Sequence, residues 1–119
     1  MAVTASTREV NKSRVRYYGG GAEDDNEVIL DVDVEGLDSF IVGSVAGVVD
    51  VYVSIDGAVF FATPVAMENL GSLTPATRLA ATVAGGQFLF KGAYKRIRVL
   101  QVGTTDVTGL QLVGWREGA

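Results

Sequence analysis

The 119-residue sequence predicts an all-β fold, a single antiparallel β-sandwich of jelly-roll-like character with an extended N-terminal arm. Three observations predict it. Valine dominates the apolar residues, and its branched side chain packs well on a pleated surface. Several segments alternate apolar and polar residues with a period of two, the signature of half-buried strands. Turn signals built on glycine, aspartate and proline separate these segments, spaced about 8–12 residues apart as in sandwiches and barrels.

Residues 1–22 show neither a helical period nor sustained alternation, and polar residues lead up to Gly19-Gly20-Gly21. They read as an extended, initially mobile arm, with residues 23–119 forming the sandwich. From Glu27 the pattern changes. In EVILDVDVE, Val28, Leu30, Val32 and Val34 alternate with Ile29, Asp31, Asp33 and Glu35, so a strand with outward acids is expected. Gly36 marks a turn, and Ser39 to Val45 reads as the second strand.

VVDVYVSI at 48–55 reads as the third strand, with Val49, Val51, Val53 and Ile55 on one face. Asp56-Gly57 is a hairpin signal, because glycine accepts the positive φ that such turns need. AVFFAT at 58–63 is expected to return as a strand and to stop at Pro64. Residues 64–76 read as a connecting loop, and TRLAATV at 77–83 as a strand with Leu79, Ala81 and Val83 on one side. A short helix capped by Thr74-Pro75 is the alternative there. QFLFK at 87–91 places Phe88 and Phe90 on one face, and YKRIRVLQV at 94–102 sets Ile97 and Val99 against Arg96 and Arg98. After the GTTD turn, VTGLQLVGW at 107–115 closes the set.

Composition narrows the chemistry. The sequence contains no cysteine and no histidine. Disulfides, thiolate nucleophiles, histidine-dependent triads and histidine-rich zinc sites are therefore excluded. Neither an enzyme nor a cofactor site is expected. No apolar run reaches the ~18 residues of a membrane helix, and the first residues lack the apolar core of a secretory signal. The expectation is a soluble protein made in the cytoplasm, without a membrane partner.

Charge is unevenly placed. Arg8, Lys12, Arg14 and Arg16 against Glu9 give residues 1–20 a net +3, which leaves −7 for the rest of a chain whose total is −4. A basic arm on an acidic body suggests contact with something negative, such as a neighbouring subunit. Arg8, Lys12, Arg14, Arg16, Tyr17 and Tyr18 are the contact candidates on the arm. Arg96 and Arg98, with Lys91 and Lys95 nearby, form the basic cluster of the body and are candidates to meet the acidic stripe of another copy. That cluster is small, in a body of net negative charge, so nucleic-acid binding is not expected.

Other motifs favour bland readings. The three glycines lack the strand, the helix and the lysine of a phosphate loop, and an acidic run follows them. Glu23 to Glu27 lack the ligand order of an EF-hand and read as a solvated turn. Asp31, Asp33 and Glu35, ~7 Å apart along a strand, fit an acidic stripe better than an acid–base pair. Tyr17, Tyr18, Tyr52, Phe60, Phe61 and Trp115 are candidate aromatics for a sugar platform, the alternative being that Phe60, Phe88 and Phe90 are core; Tyr52 and Phe61 alternate out of phase with the core residues.

The segments 49-VDVYVSIDGAVFF-61 and 85-GGQFLFKGAYKRIRVLQVGTTDVTGLQLVG-114 resemble small β-sandwich proteins of tailed-bacteriophage virions. The shared pattern is a strand ending in VS-x-DG, an aromatic–x–aromatic, G-x-Y-K-x-I-R-V, and a short turn into a final apolar strand. It covers roughly residues 48–114, and carbohydrate-binding modules share a looser form of it. Within phage proteins, a small chain with an N-terminal arm resembles a capsid decoration, or cement, protein. The resemblance implies a homo-oligomer, most often a trimer, that binds the major capsid protein on the outside of the head. Other virion roles, as a head–tail connector or a tail or fibre-associated protein, stay open on the same pattern. The arm is expected to order on binding, as a segment that folds against its partner.

Overall fold

The computed structural model describes residues 7–11, 14–21, 27–70, 78–79, 81–82 and 85–117, with side chains at 15–17, 27–70, 81–82 and 85–117. Ten strands are placed: β1 (Thr7–Asn11), β2 (Arg14–Gly21), β3 (Val28–Asp33), β4 (Ser39–Gly43), β5 (Val48–Ser54), β6 (Met67–Asn69), β7 (Arg78–Leu79), β8 (Gln87–Lys91), β9 (Arg96–Val102) and β10 (Val107–Trp115). They form a seven-stranded sheet, β1-β2-β10-β4-β8-β6-β7, and a three-stranded sheet, β3-β9-β5. Every pairing is antiparallel. The two sheets pack face to face as a β-sandwich.

Alternation decides which side chains fill the space between the sheets. Phe40, Val42, Phe88, Phe90, Leu110 and Leu112 point inward from the large sheet, against Val49, Val51, Ile97 and Val99 from the small one. Each such burial is worth about 1.5–3 kcal/mol relative to exposure. Phe40 sits directly opposite Phe90 in the β4–β8 register, and their rings stack at 5.2 Å between centroids. In β3 the expected alternation is broken once. A register shift between Val28 and Leu30 buries both Ile29 and Leu30, while Asp33 and Glu35 stay exposed. A bulge inserts one extra residue in this way and lets two successive side chains turn inward.

The N-terminal segment differs most from expectation. Rather than hinging at its glycines, β2 is a strand of the large sheet, hydrogen-bonded to β1 on one side and β10 on the other. Val15 and Tyr17 are buried, and the Tyr17 hydroxyl donates to the Asp33 carbonyl at 2.9 Å, tying the large sheet to β3 of the small one. Gly19 and Gly21 stand opposite Leu110 and Val107, flanking a bulge in β10 at which Gly109 takes φ +63°.

The return strand expected at 58–63 does not form. Asp56 Oδ1 accepts the Ala58 and Val59 N–H groups at 2.8 and 2.9 Å and the Ser54 hydroxyl at 3.1 Å. These bonds take the amides that a hairpin ladder would need, an Asx-type turn in place of a strand. The chain rejoins β5 only through Phe61 N–H to the Val53 carbonyl and Val65 N–H to the Val51 carbonyl. Ile55, expected in the core, lies past the end of β5 and is exposed. Of the expected strand at 77–83, the described residues hold β7 and a bridge between Ala81 and Asp50; the rest of it, the side chain of Leu79 and the alternative helix at Thr74-Pro75 lie outside the described residues.

Candidate functional site

Three surface features stand out on this frame: a charged cluster on the small sheet, a groove on the large sheet, and the loop between β5 and β6. The charged cluster follows from register. In the β3–β9 ladder Asp31 stands opposite Arg98 and Asp33 opposite Arg96. The Asp31 carboxylate receives both arginines: Arg96 Nε at 2.6 Å on one oxygen, Arg98 Nε and Nη2 at 3.2 Å on the other. The Arg98 guanidinium also lies over the Phe60 ring, 4.1 Å from its centroid, a cation–π contact.

Arg96 and Arg98 thus share one acid of their own chain. A strand pairing 65 residues apart in sequence creates that acceptor. The pair is about two-fifths exposed, so it contributes modestly and is weakened by salt. On the neighbouring strand, partial burial and then the negative charge of the Asp50 carboxylate, which accepts a hydrogen bond from the phenol, raise the Tyr52 pKa.

The groove, a cavity of about 580 Å³, lies on the outer face of the large sheet. Cross-strand register builds its floor: Arg16, Val113 and Ile41 stand in one row across β2, β10 and β4, and Gln111, Gly43 and Gln87 in the next across β10, β4 and β8. Trp115 and the exposed Val45 extend its apolar lining, and Gln87 and Gln111 supply amides. Gly43 and Gly86 make the depth: a Cβ on Gly43 would meet the Gly86 carbonyl oxygen at 2.5 Å. Arg16 carries the only charge among the described lining residues.

The third feature is the loop at residues 55–63. Ile55, Val59 and Phe61 are 63, 71 and 52% exposed, an unusual concentration of large apolar side chains on one short segment. The Asp56 network holds its tip, and Gly57 at φ +86° leaves room for the Lys95 stem. At the same end of the sandwich, where Ile55 and Lys95 share a pocket with Asp38 and Arg116, a latch joins the chain's last described residues to β4 and β8. Ser39 Oγ donates to Glu117, Lys91 pairs with it at 3.0 Å, and these partners hold the Glu117 carboxyl below its ordinary range.

The residues expected to act on a partner are thus dispersed. Arg16 reaches the groove, whereas Tyr17 is a core residue, 2% exposed, because it shares the inward face of β2 with Val15. Arg8 and Arg14 lie on β1 and β2, opposite Tyr17 and Trp115, and Tyr18 opposite Gln111. Lys12 and the side chains of Arg8, Arg14 and Tyr18 lie outside the described residues. The aromatics Tyr52, Phe61 and Trp115 sit on the small sheet, the loop and the large sheet respectively, so they do not form one sugar platform. Sequence reading missed the groove, whose only linear trace is glycine at 43 and 86 beside strands with apolar outward residues. Among the described residues no group of His, Cys, Asp or Glu side chains is arranged to hold a metal ion, and no helix is long and apolar enough to cross a membrane.

No protein-family model matches the chain, and no curated protein matches it. Among solved structures it is similar to the crystal structure of the SPBc2 prophage-derived protein YomS, with a TM-score of 0.60 over 96% of this chain and 97% of that one. Sequence identity between them is 12%, so what they share is the fold.

Proposed function

We propose that this chain is a structural protein of a tailed-phage virion, and specifically a capsid decoration protein that binds the outside of the head and braces neighbouring major capsid subunits. The observation that carries the proposal is the end-to-end likeness of the sandwich to a prophage-derived protein, covering both chains almost completely. The sequence pattern over residues 48–114, which resembles small virion sandwiches, supports it independently. So does the absence of cysteine and histidine, which leaves a surface suited to binding more than to catalysis.

On this reading the partners are the capsid protein and other copies of the chain, with a trimer as the favoured assembly. Nucleic acid is not expected as a partner on this reading, since Asp31 offsets one of the two charges of Arg96 and Arg98 in a body whose net charge is negative. The binding mechanism is docking of a preformed sandwich. With β2 already paired in the large sheet, binding does not require residues 14–21 to fold, and preorganised surfaces lose less entropy on docking. Many identical sites on a shell then multiply a modest individual affinity.

The test is to add the purified chain to phage heads that lack it, then measure co-sedimentation and the temperature at which the heads release DNA. Saturable binding with a raised release temperature is the expected result. Heads that neither bind the chain nor gain heat resistance would rule out the decoration role, and binding to tails alone would move the protein to another part of the virion.

A further inference from the structure

We propose that Asp56-Gly57 is a latent isoaspartate site: the turn at the end of β5 holds it unreacted, and it converts when that turn opens. The chemistry is general for an aspartate followed by glycine. The Gly57 nitrogen attacks Cγ of the Asp56 side chain, a nitrogen–Cγ bond forms, and the amide proton leaves with the carboxyl hydroxyl as water. Water then opens the five-membered imide. Attack at the Asp56 main-chain carbonyl breaks its bond to the Gly57 nitrogen and leaves the chain running through Cγ, which is isoaspartate; attack at Cγ restores aspartate. Asp56 is the only aspartate in the sequence followed by glycine. Asp31, Asp33, Asp50 and Asp106 precede valine, whose branched side chain crowds the attacking nitrogen. Asp56 is also exposed, so water reaches the ring once it forms.

Three features of the fold oppose the first step. The nucleophile is engaged, because the Gly57 N–H donates to Ser54 Oγ at 2.9 Å. The electrophile is engaged too, since Asp56 Oδ1 accepts the Ala58 and Val59 N–H groups at 2.8 and 2.9 Å and the Ser54 hydroxyl at 3.1 Å. The protonated acid can lose its hydroxyl as water, whereas the carboxylate has no comparable leaving group, and these donors favour the carboxylate. They lower the Asp56 pKa, the Val59 N–H most. Finally, Ser54, which touches both reacting groups, is itself fixed. It is fully buried opposite Arg96 in the β5–β9 ladder, and its carbonyl accepts the Lys95 N–H at 2.9 Å. Bringing Asp56 Cγ onto the Gly57 nitrogen therefore requires these bonds to open together, as a local unfolding of the turn. The same turn explains why so reactive a pair is present. Gly57 has φ +86°, which a residue with a side chain adopts only under strain. Once formed, isoaspartate cannot rebuild the turn, because the carboxyl that held Ala58 and Val59 has become main chain. The segment carrying the exposed Ile55, Val59 and Phe61 then loses its fixed tip.

The test is to age the full chain in warm neutral buffer, folded in one sample and unfolded in guanidinium chloride in another. Peptide mapping with electron-transfer fragmentation reads isoaspartate at each aspartate, and isoaspartyl methyltransferase labelling gives the total. In guanidinium chloride residue 56 is expected to convert ahead of every other aspartate. In the folded chain its conversion is expected to be slower by roughly tenfold or more, since several hydrogen bonds must open first. Ser54→Ala removes the acceptor of the Gly57 N–H and one donor to the carboxylate; folded by circular dichroism, it is expected to convert several-fold faster than the unsubstituted chain. Equal rates in the folded and unfolded samples would overturn the proposal, and so would the lack of isoaspartate at residue 56 in guanidinium chloride. A folded Ser54→Ala variant that reacts at the unsubstituted rate would also overturn it. Should that variant fail to fold, the comparison of folded with unfolded chain still decides.

Discussion

Replacing Tyr17 by alanine tests whether the N-terminal segment is part of the folded body. The side chain is 2% exposed, and its hydroxyl donates to the Asp33 carbonyl of the opposite sheet at 2.9 Å. Truncating a buried aromatic side chain to alanine costs about 3–5 kcal/mol, through lost transfer energy and the cavity left behind. Typical domain stabilities are only about 5–15 kcal/mol, so the variant forfeits a large share of the total. For a chain of this length each kcal/mol moves the melting temperature by about 4 °C, which gives a drop of roughly 12–20 °C. Tyr17→Phe separates the two contributions. It keeps the ring, loses only the hydrogen bond, and costs about 0.5–1.5 kcal/mol. Arg16→Ala, exposed on the same strand, is the control and changes stability by no more than about 0.5 kcal/mol. Urea titrations followed by circular dichroism measure all three, with the midpoint shifting at constant slope. A Tyr17→Ala midpoint within error of the unsubstituted chain would mean that residues 14–21 do not belong to the cooperative fold, as an arm would behave.

Three further outcomes are expected. Gly47→Ala destabilises by about 1–3 kcal/mol in the same titration, because Gly47 has φ +85° and a Cβ there would meet the Val107 Cα at 2.8 Å. Asp31→Asn weakens both arginine contacts; thermal melts should show a loss of about 1 kcal/mol at low salt that shrinks at high salt. Asp56 and Glu117 have pKa values held below their ordinary 3.8 and 4.5 by backbone and lysine partners respectively. A carboxylate depressed in the folded state contributes stability that is present above the ordinary value and lost as pH falls through the depressed one. Melting temperature should therefore fall on the acid side of this window, and Asp56→Asn with Glu117→Gln should flatten that fall. An acid limb unchanged by the double substitution would exclude these two groups as its source.

Much of the fold was legible in the sequence, and particular residues show where legibility ends. Val49, Val51 and Val53, Phe88 and Phe90, and Ile97 and Val99 alternate strictly, and all are buried as a period of two demands. Asp56-Gly57 marked the turn, yet the sequence pattern could not show that the Asp56 carboxylate would capture the next amides and abolish the returning strand. Arg14 to Tyr17 alternate too, but over so short a run before three glycines that the pattern reads as an arm; only pairing with β10, far away in sequence, makes it a strand. The same holds for Arg96 and Arg98. Their outward direction was readable, whereas their acceptor depends on the register of β3 against β9. The groove is invisible for a further reason, since it is made by rows that together cross four strands and by glycines whose absence of side chain has no periodic trace.

The central claim is that the chain is a component of the phage particle, placed on the head. Cryo-electron microscopy of phage particles produced by the genome that carries this gene tests that proposal most directly. The account expects density for the two-layered sandwich on the outer surface of the capsid, at a fixed position relative to the capsid subunits. Virions whose proteins do not include the chain, or density for it only on the tail, would contradict that claim.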